Sequence, residues 1–356
     1  MAFDSSKQYN ILFDAFPLEH RFTGLGQFCY NLLSEYGVQA EQNMEFSAFL
    51  RKEWVPNLEG LSVKIQEAGW IQRHHQDWMK DFIFRKYDLW HITSEIARIV
   101  SIPRKTKVAL TIHGLHFLDE DSEEVYEKKL KKVQRWADRA DIVIADSDAT
   151  AAAVKKNMQV PDSKLHRIYL GVSIAKESKK PAWAPREKFL FAVGTFLVRK
   201  NFHALVPMIK ELPFKLVMAG KFIDDYPEFI RQEAVRCGAE EQILILDGIS
   251  EAEKNWCFQN CEAFVFPSIS EGFGIPIVEA LYFGKPIFLS RFGSLPEIGK
   301  DYAYYWDNFS PQEMAQKVKE NIHSPIHINE RRDYALSYSW AKAAKEYLTL
   351  YRSLLN

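Results

Sequence analysis

Residues 270–286 read SEGFGIPIVEALYFGKP, and the rest of the chain is best understood outward from them. Two carboxylates, Glu271 and Glu279, flank a Gly-Phe-Gly-Ile-Pro turn that opens an apolar run of helical character. Pro276 suits the first helical turn, where its missing N–H is no loss, and Gly284 suits the position just past the end. The free backbone N–H groups of such a helix start, with Gly272 and Gly274 in front of them, form a ready anion site. A phosphate can approach the bare main chain, and the helix dipole favours it. Phosphate accounts for the glycines but not for the glutamates. Two acids beside an anion repel it, unless one of them holds neutral hydroxyls and nearby cations balance the charge.

On both sides of this stretch, short apolar runs alternate with amphipathic segments, which predicts an α/β protein with largely parallel sheets. Runs at 9–14, 45–50, 88–92, 107–112, 142–146 and 165–168 make one sheet's worth of strands. Those at 189–193, 215–219, 243–246, 263–266 and 286–290 make a second. Between them, 176–187 (KESKKPAWAPRE) concentrates charge and proline without periodicity, as an interdomain linker does. At 356 residues the chain is long enough for two cores. The expected organisation is a first domain over 1–175, the linker, a second domain over 188–335 and a terminal helix over 336–356. That last segment aligns Trp340, Ala344, Tyr347, Tyr351 and Leu354 on one stripe, which reads as a packing helix.

Composition narrows the function classes. A 47% hydrophobic and 26% charged chain is globular rather than disordered. With 46 Lys and Arg against 47 Asp and Glu there is no global field for nucleic acid, so none is expected as a partner and anion binding must be local. Cys29, Cys237, Cys257 and Cys261 fit neither a disulfide framework nor a zinc pattern; buried free thiols in a reducing cytoplasm are expected. The first residues lack a signal peptide's charged start and long apolar run, and no segment approaches a membrane span. Lys128, Lys129, Lys131, Lys132 and Arg135 form a basic cluster that reads as a solvated helix face. An anionic membrane surface, at the inner face, is the alternative reading.

In open parallel sheets, ligands gather beyond the carboxyl ends of strands. GTFLVRKN (194–201) stands at such an end, where Arg199 and Lys200 can reach phosphates held by the Gly274 turn. TGLGQ (23–27) precedes an expected helix from Gln27 to Tyr36. A bare Gly-x-Gly also makes a plain tight turn, but its amides could meet a diphosphate or a transferred group. His113, in LTIHGLHF, ends a predicted strand with Gly114 leaving room beside it, and could hydrogen-bond a sugar hydroxyl. His91 and His116 read as structural or rim residues. Two acidic triplets have the Asp-x-Asp spacing of a metal site. Asp119-Glu120-Asp121 reads as a solvated helix start, and in Asp146-Ser147-Asp148 either Ser147 or Asp148 suits an N-cap worth about 1 kcal/mol. With Arg199 and Lys200 present, no metal is required.

Taken together, EGFGIPIVEALYFGKPI with its Glu-x7-Glu pair, VGTFLVRKN, GSLPEI from Gly293, FTGLGQF, HGLHF and the closing SWAKAAKEYLTLY resemble the family 4 (group 1) retaining glycosyltransferases of the GT-B fold. The likeness covers nearly the whole chain. It implies two Rossmann-like domains facing across a cleft, a C-terminal helix crossing back to the first, a nucleotide-sugar donor held mainly by the second domain and an acceptor held mainly by the first. It also implies transfer with retention, without metal or any cofactor besides the donor. Carried over residue by residue, Arg199 and Lys200 take the diphosphate, Glu271 the donor sugar and Glu279 the ribose diol. Gly272, Phe273, Gly274 and Ile275 supply amides along diphosphate and sugar, Gly24 and Gly26 form the N-domain glycine loop, and His113 meets the transferred sugar. Catalysis then rests on Glu271, His113 and Lys200. Where many relatives carry Arg after the strand-end glycine, this chain has Thr195, which leaves that task to Arg199.

The likeness also answers the charge puzzle. Glu279, about one turn into the helix, can accept two hydroxyl hydrogen bonds from a neutral ribose. Glu271 can stabilise positive charge at the anomeric carbon, while the leaving diphosphate takes the acceptor's proton. The wording GTFLVRKN is similar to bacterial polysaccharide mannosyltransferases and leans toward GDP-mannose over a UDP-sugar. The acceptor, a saccharide or lipid-linked saccharide, is set by loops such as 70–90 that no motif decodes. A nucleotide-sugar epimerase or a phosphorylase on the same architecture is the alternative enzyme class. A non-catalytic sugar-nucleotide-binding protein is the third reading, against which intact Glu271, Lys200 and His113 argue.

Overall fold

The computed structural model describes residues 7–21, 23–39, 43–68, 84, 86–95, 102–174, 177–324 and 328–356. Most of the 70–90 segment expected to meet the acceptor lies outside them, as do residues 175 and 176 at the expected domain boundary. The chain divides into two compact units, Met1–Gly171 with Ser339–Asn356, and Val172–Tyr338.

The first unit holds β1 (Tyr9–Asp14), β2 (Met44–Leu50), β3 (Lys64–Glu67), β4 (Leu89–Ile92), β5 (Lys107–Ile112), β6 (Ile142–Ala145) and β7 (Leu165–Arg167). Their order is β3-β2-β1-β4-β5-β6-β7, parallel throughout. The second holds β8 (Phe189–Val193), β9 (Lys215–Gly220), β10 (Ile243–Asp247), β11 (Ala263–Phe266), β12 (Ile287–Leu289) and β13 (Tyr304–Tyr305), ordered β10-β9-β8-β11-β12-β13 and again parallel. Both are Rossmann-like. Central strands are covered on both faces, so they appear in sequence as unbroken apolar runs. The two strands not foreseen lack that signature: β3, KIQE, is a largely exposed edge strand, and β13 has two residues. In each sheet the order reverses once, between β1 and β4 and between β8 and β11. Loops leaving those strands are where an α/β sheet opens a crevice for ligands.

The terminal helix Trp340–Leu355 belongs to the first unit, so the chain does cross back. Its stripe buries Trp340, Ala344, Tyr347 and Tyr351. Apolar packing alone would not fix its register, but polar contacts do. Tyr351 Oη lies 2.9 Å from Tyr36 Oη and 2.7 Å from His91 Nδ1, while Thr111 Oγ1 lies 2.7 Å from His91 Nε2 and 3.1 Å from Tyr347 Oη. Burial, aided by the charge of His113, drives His91 down to about 3, so this ring is neutral and structural.

The crossings fall at Gly171–Val172 and Tyr338–Ser339, and the stretch expected as a linker is tied to the second unit over its described residues. Asn255 Nδ2 donates to the Glu177 carbonyl at 2.9 Å, Lys179 N to the Ala252 carbonyl at 3.0 Å, and Ser178 Oγ to Gln259 at 2.7 Å. A proline-rich segment without periodicity can lie ordered against a helix when that helix offers side-chain and carbonyl partners. The basic cluster lies on helix Glu123–Arg139, where Lys128, Lys129 and Lys131 pair with Glu124, Asp121 and Glu127. Among the described residues no helix is long and apolar enough to cross a membrane.

Candidate active site

In the second unit the loops after β8 and β11 meet at the strand-order reversal. After β8, the segment Val198–Lys200 forms one 3-10 turn, closed by Asn201 in the left-handed conformation (φ 56°). After β11, Ser268 Oγ and Ile269 N donate to the Arg199 carbonyl at 3.1 and 2.8 Å, stitching the two loops together. Thr195, half-buried, lies on the first loop.

That stitching brings Lys200 onto Glu271, Nζ to Oε1 at 2.5 Å, with side chains 12% and 9% exposed. The Lys200 ammonium also lies 5.2 Å from the Phe266 ring centre. Burial alone would raise the Glu271 carboxyl; Lys200, seconded by Arg199, outweighs it and holds the group below its ordinary value. The lysine expected to reach for phosphate therefore rests on Glu271, the glutamate expected to meet the donor sugar.

The turn expected to meet an anion forms as its sequence suggests. Gly274, at φ 100°, caps helix Ile275–Tyr282, with Pro276 in the first turn. That backbone conformation is costly for any side chain bearing a Cβ, so the glycine is a structural requirement. Ser294 Oγ donates to the Phe273 carbonyl at 2.7 Å and Ser294 N to the Glu271 carbonyl at 3.2 Å, bracing the turn. Phe273 is buried against Tyr338, ring centres 5.5 Å apart. Gly272 and Gly274 on either side of it are buried as well, and Ile275 is half-buried.

Glu279 sits in the otherwise apolar buried run of that helix. A buried carboxylate needs a partner, and it has one that the sequence reading missed: Lys254 Nζ, 2.7 Å from Oε1, side chains 16% and 6% exposed. Lys254 lies one turn into helix Glu251–Asn260, whose start is fixed by a Ser250–Glu253 capping box, and it also pairs with Glu251 at 2.9 Å. Burial would lower the Lys254 ammonium, but the two carboxylates hold it above its ordinary value; burial pushes Glu279 up despite the ammonium beside it. The site is thus polarised. Arg199, Lys200 and Glu271 carry one net positive charge at the turn, and Lys254, Glu251 and Glu279 carry one net negative charge further along.

In the first unit, three neighbouring strand ends gather a polar cluster. Glu95 follows β4, His113 follows β5 and Asp146 follows β6, all buried. His113 Nδ1 lies 3.2 Å from Asp146 Oδ2, Nε2 lies 3.1 Å from the Thr93 carbonyl, and the His113 N–H donates to Glu95 at 3.1 Å. A carbonyl only accepts, so Nε2 carries a proton, and Nδ1 shares another with Asp146. Burial opposes that charge, but Asp146 and Glu95 raise the His113 imidazole above its ordinary value; burial raises Glu95. Both ring nitrogens are engaged inside the protein, so the ring as it stands has no donor to offer a sugar. The room expected beside Gly114 is taken by the His116 ring.

The glycine loop also differs from expectation. The helix starts at Gly24 rather than Gln27, making Gly24 and Gly26 its first turn. Gly26 is demanded by packing, since a Cβ there would lie 2.2 Å from the His20 carbonyl oxygen, whereas Gly24 faces open space. In the second acidic triplet, Asp146 serves His113, Ser147 caps helix Asp148–Asn157, and Asp148 pairs with Arg167 at 3.2 Å. Among the described residues, no three His, Cys, Asp or Glu side chains gather to hold an ion.

Two families of known proteins match the chain. "Glycosyl transferases group 1" matches residues 173–338, nearly the whole second unit, and "Glycosyltransferase Family 4" matches residues 49–176. The O-antigen chain mannosyltransferase RfbU of Salmonella typhimurium is 24% identical over 246 residues, 67% of this chain and 68% of that protein. The O-antigen chain mannosyltransferase B of Escherichia coli is 21% identical across 97% of this chain and all of its own length. Serotype-specific mannosyltransferase WbdA of Escherichia coli is 26% identical over 252 residues, but that stretch is only 30% of its length. Among solved structures, Anabaena HepE in complex with UDP superposes with a TM-score of 0.75 at 16% identity, over 97% of this chain and 100% of that one, a likeness of GT-B fold.

Proposed function

Because the chain belongs to the group 1, family 4 glycosyltransferases and is a hexosyltransferase, we propose that it moves mannose from GDP-mannose to a saccharide or lipid-linked saccharide, with retention and without metal, in cell-surface polysaccharide synthesis. The observation that carries the reading is the polarised pair of Lys–Glu contacts around the Gly274 turn. A nucleoside diphosphate sugar has the complementary pattern: an anionic diphosphate for the cationic end and a neutral ribose for the anionic end. The mannose donor follows the names of the O-antigen relatives.

In this reading the diphosphate lies on the amides of Gly272 to Ile275, and Arg199 with Lys200 neutralises it, Lys200 being shared with Glu271. As the bond from the anomeric carbon to the diphosphate oxygen breaks, Glu271 stabilises the positive charge on the sugar. The acceptor oxygen bonds to the same face of that carbon, and its proton passes to the departing diphosphate. Phosphate charge is met by side chains and backbone amides, which is why no metal is invoked. His113, its ring nitrogens engaged by Asp146 and Thr93, contributes a rigid strand end rather than a hydrogen bond to sugar.

Incubating the purified chain with a panel of GDP-, UDP- and ADP-sugars, with and without chelator, tests this directly. GDP-mannose should bind and be slowly hydrolysed or transferred, chelator making no difference, and the product should keep the donor's anomeric configuration. If no sugar nucleotide binds, the reading fails. Strict dependence on a divalent ion would remove its metal-free part, and an inverted product its retention.

A further inference from the structure

The Lys254–Glu279 contact is not explained by stability. A buried ion pair is roughly replaceable by apolar side chains of similar volume, because the desolvation of both charges offsets their attraction. Here the pair is built with care: Lys254 is held from one side by Glu279 at 2.7 Å and from the other by Glu251 at 2.9 Å. The ammonium is fixed between two carboxylates, and Glu279 is fixed through Oε1. Among the described residues no donor meets the other oxygen, Oε2. A carboxylate free on both oxygens can hold both hydroxyls of a ribose equally. One whose first oxygen already serves an ammonium cannot, since a hydroxyl at Oε1 competes with a full positive charge while a hydroxyl at Oε2 competes with nothing.

We propose that Lys254 is a positioning residue for the nucleotide: by engaging Oε1 of Glu279 it leaves Oε2 as the less encumbered acceptor, so that the site reads the two ribose hydroxyls unequally. This rests on the reading of Glu279 as the ribose carboxylate. Lys254 itself touches Glu279 rather than the reacting atoms. Its removal would take the ammonium away from Oε1, leaving the two carboxylate oxygens equally open to a hydroxyl, so the preference between the two hydroxyls would be lost.

The test is calorimetric titration of the full chain with GDP, 2′-deoxy-GDP and 3′-deoxy-GDP, with UDP and its two deoxy analogues in parallel. In the parent protein, one missing hydroxyl should weaken binding about tenfold or more, the scale of a hydrogen bond to a charged group, and the other less than about threefold. Lys254→Met should weaken GDP binding and abolish the difference between the analogues, and Lys254→Arg should retain it. At saturating donor, Lys254→Met should raise KM far more than it lowers kcat, whereas loss of folded protein would lower kcat alone. Equal losses for the two analogues in the parent, or an unchanged pattern in Lys254→Met, would overturn the inference while leaving the proposed function standing. Should Lys254→Met not fold, the parent's two analogue affinities decide the matter alone. Absence of binding by GDP and UDP alike is a separate result that overturns the proposed function and this inference with it.

Discussion

Replacing Lys200 by Met tests the electrostatic account of the turn. The Lys200 and Glu271 side chains are 12% and 9% exposed and 2.5 Å apart, so the substitution leaves a carboxylate in a place that burial makes hostile to charge. Removing one partner of a buried pair costs about 3–5 kcal/mol. Arg199 also lowers Glu271 and softens the loss, so the lower end, about 3 kcal/mol, is expected for Lys200→Met. Glu271→Gln should cost a similar amount by stranding the ammonium. The double variant leaves neither charge behind and should cost about 0–2 kcal/mol, well below the sum of the singles.

The pH dependence fixes the sign. In the parent, Glu271 is held below its ordinary value, so its contribution to stability is full above the ordinary carboxyl range and is lost as pH falls through the lowered folded value. Without Lys200, burial dominates and the folded value rises instead, so the charged carboxyl destabilises at neutral pH and the penalty fades as it protonates. The deficit of Lys200→Met relative to the parent should therefore shrink between pH 7 and pH 4 in urea denaturation. Activity should behave differently. Lys200→Met should lose about 10- to 150-fold in kcat/KM, the equivalent of one charge-assisted contact, and the double variant should recover stability without recovering turnover. Additive single costs with a deficit that stays flat across that pH range would refute the reasoning.

Three further outcomes follow from other parts of the molecule. Asp146→Asn should destabilise the first unit by about 1.5–3 kcal/mol. The parent should lose stability as pH rises through the raised His113 value, because a histidine with an elevated folded pKa stabilises below its unfolded value, and melting curves of Asp146→Asn from pH 6 to 9 should lack that slope. Tyr351→Phe leaves His91 Nδ1 and Tyr36 Oη without their shared partner in a dry interior, which should cost about 1–3 kcal/mol and loosen the terminal helix, read by hydrogen exchange. Lys300 is held at φ 44°, ψ −142°, strain of about 1–3 kcal/mol for a residue with a Cβ, so Lys300→Gly should stabilise by up to about 2 kcal/mol after its extra unfolded-state entropy is counted. A lowered melting temperature would contradict the last.

Legibility in the sequence followed burial. Most of the eleven foreseen strands were visible because buried parallel strands are apolar along their whole length, while the exposed edge strand KIQE and the two-residue β13 offered no such signal. The helix of the anion turn was bracketed by Pro276 and Gly284, residues whose backbone chemistry is local and therefore readable. Gly26 was read as part of a loop whose amides could meet a diphosphate, or as a plain turn, and the packing that requires a glycine there was not legible. The backbone of His20 and Arg21 presses on it, which is a fact about packing and not about phosphate. His113 was found by its strand-end position, yet Asp146, Glu95 and the Thr93 carbonyl that bind it come from other strand ends, and nothing in LTIHGLHF announces them.

Lys254 shows where a sequence cue did exist. In EAEKNW it looks like any solvated lysine beside helix-start acids, 25 residues before its partner. The cue lies at the other end: Glu279 falls inside IPIVEALY, where every neighbour at helical spacing is apolar, so that helix must bury a carboxylate and some cation must reach it. The cation comes from helix Glu251–Asn260, which the sequence places before β11 and the fold brings to Glu279. The same logic separates the two lysines by role. On the proposed function, Lys200 stands at the turn that offers amides to the diphosphate, which then competes with Glu271 for it, so its pairing must be shared. Lys254 stands among two carboxylates that repel any anion, so its pairing persists when ligand binds. On the proposed function, such a site loosens one ion pair at the phosphate end and keeps the other rigid at the ribose end. That asymmetry requires Lys200 variants to change turnover and affinity together, and Lys254 variants to change affinity alone.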